Sequence, residues 1–205
     1  MCKFFRFLPI IISCFVISAN ANECVSYKIK PKITINIPDY TKEVVQPRKQ
    51  MDLLHGNVAA TMVNNYDIVV DITSVEDGYC VGLKSIEAVI GYTDFLVKID
   101  PRHKPKTCSY NAILSHENKH IDAYLSVIEN YKQDLYNSLY SAADSIMPVF
   151  VKNQKDINNT VTELNDILQS HPDIVLTIQK IHADEEIKNK IIDQQEDHSE
   201  LKKCL

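Results

Sequence analysis

The chain has 205 residues, a formal net charge of −5 with basic and acidic side chains interspersed, and 45% hydrophobic residues without a single tryptophan. No basic stripe is interleaved with aromatics, which argues against a nucleic-acid partner. The length allows one domain with a genuine core, or a small domain with a helical appendage.

The first 21 residues read as a secretory signal peptide. Lys3 and Arg6 give a positive start, Phe7 to Ile17 is apolar, and Ala19 and Ala21 are the small residues a signal peptidase reads. The apolar run is too short for a stable membrane span. The expected mature chain starts at Asn22 and is secreted or periplasmic; acylation at Cys14 is the lipoprotein alternative. Four cysteines then remain, Cys24, Cys80, Cys108 and Cys204, and an even number in an exported chain predicts two disulfides. All three pairings are open. A strand touching the start of a helix would favour Cys80 with Cys108, leaving Cys24 with Cys204. No Cys-x-x-Cys spacing supports a cysteine zinc site.

From Val25 to Pro38 apolar residues alternate, with Ile33, Ile35 and Ile37 on one face, so a half-buried strand is expected, extended by Tyr40 to Val45. Between Arg48 and Val63 the apolar positions Met51, Leu54, Val58 and Met62 step by three and four, which predicts a short helix weakened by Gly56. Tyr66 to Thr73, Tyr79 to Ile90 and Tyr92 to Ile99 are rich in Val, Ile and Tyr and separated by Glu76-Asp77-Gly78 and by Gly91. Connections this short predict an antiparallel meander, because parallel crossovers need a dozen or more residues.

A long helix follows from about Ser109 to Met147, limited by Pro148, with Ser109 or Thr107 as its cap. Within it, His116-Glu117-Asn118-Lys119-His120 places two imidazoles four residues apart on one face, about 6 Å along the axis, where both can reach one zinc ion. Glu117 is swung about 100° away, the position of a general base.

This His-Glu-x-x-His helix resembles that of the zincin metallopeptidases. More loosely, the order of leader, β region, cysteine and motif helix, with Cys108-Ser109-Tyr110 running into the motif, resembles uncharacterised secreted bacterial proteins described as zinc-dependent proteases. The resemblance implies zinc held by His116 and His120, Glu117 as catalytic base, and a peptide or protein substrate. It also implies that the strand before the helix, Tyr92 to Ile99, lines the cleft and pairs with substrate. The extended-motif subclass is excluded, since Ala123 and Ser126 stand where it has glycine and a third histidine. Glu129 lies on the opposite side of the helix from His120, and Asp134 about 21 Å beyond it. The third protein ligand is not identified by the sequence. Tyr124 and Tyr131 share the histidine face and are candidate oxyanion donors.

After Val151 two polar helices are expected, Asp156 to Ser170 and Asp173 to about Asp193, before a charged tail from Gln194 to Leu205. A straight reversal near Pro148 would bring His182, Asp184, Glu185 and Glu186 opposite the motif; Glu76 and Asp77 are the competing source of the third ligand. The expected class is α+β, with an antiparallel sheet and motif helix in residues 22–150 and a helical extension in 151–205. The expected activity is that of an exported zinc-dependent hydrolase, a peptidase first and a cell-wall amide hydrolase second. The alternative is a non-enzymatic envelope protein whose helices bind a partner.

Overall fold

A computed structural model describes residues 24–51, 55–195 and 203–204. The leader, its cleavage point, Cys14 and Leu54 lie outside the described residues. The architecture is α+β. Strands β1 (Lys32–Asn36), β2 (Thr41–Val45), β3 (Gly56–Val75), β4 (Gly78–Ile99) and β5 (Val149–Val151) form one sheet, and the helices are α1 (Cys108–Ser145), α2 (Ile157–Gln169) and α3 (Pro172–Gln195). None of these helices is long and apolar enough to cross a membrane.

The hairpin β3–β4 dominates the sheet. It turns through Glu76 and Asp77, with Val75 opposite Gly78 and Gly56 opposite Ile99. The opposite edge of β4 carries β5, β1 and β2 end to end, β5 antiparallel and β1 and β2 parallel. The expected all-antiparallel sheet is therefore corrected to a mixed one. Turn length dictates the direction of consecutive strands only, and β1 and β2 pair with β4 across the intervening β3.

Two other expectations are overturned in this hairpin. The segment Gly56–Val63 is strand and not helix. Val58 and Met62, four residues apart, share a face at either periodicity, and both turn to the core beside Ala60. Gly91 does not end a strand: β4 runs through it with φ at 153°, a conformation open to glycine, and Gly91 still pairs with Val63. Register shifts leave Lys84 and Thr93 without partners on β3. Each extra residue inverts the alternation, so the buried series passes from Val81 and Leu83 to Ile86, Ala88, Ile90 and Tyr92, then to Phe95, Val97 and Ile99.

Helix α1 is capped by Thr107, whose hydroxyl accepts the Tyr110 N–H. One of its faces (Ile113, Ile121, Ile128, Leu135, Leu139) joins the sheet core, and a second faces α3. Helices α2 and α3 add Leu164, Leu168, Ile174 and Ile181 to the same cluster. Side-chain bonds fix α3 antiparallel to α1: Ser141 to Asp173, Ser138 to Thr177, Tyr131 to Asp184, and Lys188 to Ser126. Continued at this register, the last turn of α3 meets His116 and His120.

The disulfides are Cys24–Cys80 and Cys108–Cys204, not the favoured Cys80–Cys108 pairing. Cys80 is the third residue of β4, and the nineteen steps to Ile99 carry the chain about 60 Å away before α1 starts. The parallel register of β1, Lys32 opposite Ser85, instead brings the residues before Lys32 back toward Cys80. Antiparallel α3 likewise returns the C-terminus to the start of α1.

Candidate metal centre

His116 and His120 leave consecutive turns of α1 and are joined by Asp193 from the last turn of α3. The two Nε2 atoms are 3.1 Å apart, and Asp193 Oδ1 lies 3.4 Å from that of His116 and 3.2 Å from that of His120. A tetrahedral zinc ion about 2.0–2.1 Å from each donor requires separations of about 3.3–3.4 Å, so this triangle fits one face of such a site and leaves the fourth direction for another ligand. The donor set of two imidazoles and a carboxylate is also one that zinc accepts. The His120 ring is further fixed by a 2.8 Å bond between Nδ1 and Asn189 Oδ1. The Asp193 side chain is 63% exposed, which opens the centre to solvent on that side.

Glu117 turns toward the sheet and is 3% exposed. It lies against the backbone of β3 where Gly56 starts the strand: a Cβ there would collide with Glu117 Oε1 and with Ile113. The free edge nearest the motif belongs to β3, which pairs only with β4 among the described residues. Tyr92 to Ile99 has β3 on one side, with β2 on the other along Asp94 to Lys98, so the edge role expected of it is corrected.

The regions considered for a third ligand do other work. Asp184 accepts the Tyr131 hydroxyl at 2.8 Å. Glu185 is buried, accepts the Tyr92 hydroxyl and lies 3.1 Å from His182 Nδ1. Glu186 is exposed. Asp193 lies seven residues, about two turns, beyond the end of the segment that a straight reversal predicts, because β5 and α2 intervene between α1 and α3. Glu76 and Asp77 sit at the far tip of the hairpin. Of the two tyrosines, Tyr131 is committed to Asp184, and the ring of Tyr124 packs on Tyr92. Burial pushes the Tyr92 and Tyr124 hydroxyls above their ordinary pKa, aided at Tyr92 by the bond to Glu185.

Sequence reasoning missed Asp193 and Asn189. Their signal is an i, i+4 polar pair near the end of α3, the counterpart of His116 and His120 on α1. It also missed the knot beneath the motif helix, where fully buried Asp100 accepts from Arg102 Nε at 2.8 Å and from the Met51 N–H at 2.6 Å. Arg102 holds the Asp100 carboxyl well below the usual carboxylate range. Beside it, His55 Nδ1 and His103 Nε2 are hydrogen-bonded at 3.0 Å. Comparison with protein-family models, with curated proteins and with solved structures returned no match.

Proposed function

We propose that the chain is an exported zinc-dependent hydrolase that cleaves peptide bonds. The observation that carries this reading is the triangle of His116 Nε2, His120 Nε2 and Asp193 Oδ1, sized for a tetrahedral ion with one open direction, with Glu117 on the intervening turn. Zinc, when bound, supplies Lewis acidity that polarises the scissile carbonyl and acidifies water. Glu117 takes the proton of the attacking water and delivers it to the leaving amine. Its placement depends on Gly56, whose missing side chain admits the carboxylate against β3. The free edge of β3 from Gly56 to Met62 offers an extended peptide backbone hydrogen bonds beside that carboxylate. The two disulfides suit an oxidising compartment outside the cytosol.

A structural role for the metal is the second reading, favoured by the fact that its donors tie the end of α3 to α1 close to Cys108–Cys204. Glu117→Gln separates the two, since it keeps size and hydrogen bonding but cannot take a proton. A peptide library should reveal cleavage by the parent, reduced about 100-fold or more in Glu117→Gln with zinc content unchanged. Equal cleavage by both proteins removes the catalytic assignment. Metal binding without cleavage of peptides or cell-wall amides leaves the structural reading.

A further inference from the structure

We infer that Asn189 is a positioning residue for the centre: its amide holds His120 as the Nδ1–H tautomer, so that Nε2 presents its lone pair toward His116 and Asp193. The inference rests on the metal reading for its purpose, though the tautomer can be observed without any metal.

A neutral imidazole carries one proton, and the partner of one nitrogen decides where it sits. Asn189 Oδ1 lies 2.8 Å from His120 Nδ1. An amide oxygen can only accept, so His120 Nδ1 must donate. In the neutral ring Nε2 then carries the lone pair, 3.1 Å from His116 Nε2 and 3.2 Å from Asp193 Oδ1.

The amide is itself anchored. Asn189 lies one helical turn before Asp193 and one after Glu185, so a single stripe of α3 supplies the donor carboxylate, the tautomer-setting amide and a fastening to the sheet. Glu185 accepts the Tyr92 hydroxyl, and the Tyr92 ring packs on Tyr124 at 5.0 Å between centroids. Tyr124 also meets Phe95 at 6.1 Å. The Tyr92–Glu185 bond thus fastens to β4 the same stripe of α3 that carries Asn189. Groups that hold a ligating histidine in this way contribute about 10- to 100-fold to metal affinity.

The test uses the full mature chain with two substitutions, Asn189→Leu, which removes the hydrogen bond at similar size, and Asn189→Asp, which keeps the acceptor. In the chelator-treated, 15N-labelled parent, long-range 1H–15N spectra should show His120 with a protonated Nδ1 and a bare Nε2. Asn189→Leu should mix the tautomers, and Asn189→Asp should restore the parental pattern. Zinc competition against a chromophoric chelator should give affinity about 10- to 100-fold weaker for Asn189→Leu and near-parental for Asn189→Asp. A parent with His120 protonated on Nε2, or an Asn189→Leu variant unchanged in both tautomer and affinity, overturns the inference. If the parent shows the expected tautomer and loses it in Asn189→Leu yet binds no zinc, the assignment of Asn189 holds and the metal reading fails.

Discussion

Glu117 and Gly56 are bound together by space. Any side chain at position 56 must displace the carboxylate or the Ile113 methyl, both held by a buried helix. Gly56→Ala should therefore lower hydrolysis on the order of 100-fold while zinc content stays at the parental level, with a stability loss of about 1–3 kcal/mol from overpacking. Kinetics on a verified peptide, beside metal analysis, check this. Unchanged kinetics would mean that Glu117 has no need of its present position. The motif on α1 was legible because its spacing is local and the helix leaves no choice of face. Asp193 was not, because a ligand contributed by another helix depends on where α3 starts, and that depends on the lengths of β5 and α2. Asn189 was illegible for the same reason.

The elements divide along the same line between local pattern and long-range register. Helices α1, α2 and α3 followed from apolar spacing and from Thr107, Pro148 and Pro172 as punctuation. The segment around Val58 and Met62 did not, since a four-residue step satisfies both helix and strand, and pairing with Val97 and Tyr92 of β4 decided it. The disulfide pairing was hidden because β4 is long enough to separate Cys80 from Cys108, which no local pattern announces. Cys108–Cys204 closes a span of 96 residues and pins the chain eleven residues beyond Asp193. Substituting both cysteines with serine should lower stability by about 2–5 kcal/mol, measured by urea unfolding. The same variant should bind zinc more weakly than the parent, because the last turn of α3 loses its tether. Unaltered zinc affinity would show that packing along α1 alone holds Asp193 in place.

Sheet and helices share one core, so the motif helix and the C-terminal helices stand or fall as a unit. The pH response of the whole molecule should carry the mark of Asp100. Its folded-state pKa is depressed by Arg102, so its contribution is complete above the unfolded value of about 3.9 and is lost as pH falls below it toward the folded value. Urea unfolding of the parent and Asp100→Asn should show a stability gap that is constant from neutral pH to about 5 and narrows below about 4. A gap that persists undiminished into the acid range would contradict the ionised pair. Zinc should act in the opposite sense to acid, stabilising only the folded chain, and chelation should lower the melting temperature of the parent but not of a variant lacking a ligand. The proposed centre requires three side chains from two helices to hold one ion. Native mass spectrometry of the zinc-equilibrated parent and of His116→Ala, His120→Ala and Asp193→Ala should find one zinc per parent chain, none on the histidine variants and weakened or absent metal on Asp193→Ala. A parent without zinc, or an Asp193→Ala variant that holds it as tightly as the parent, would contradict the centre as described.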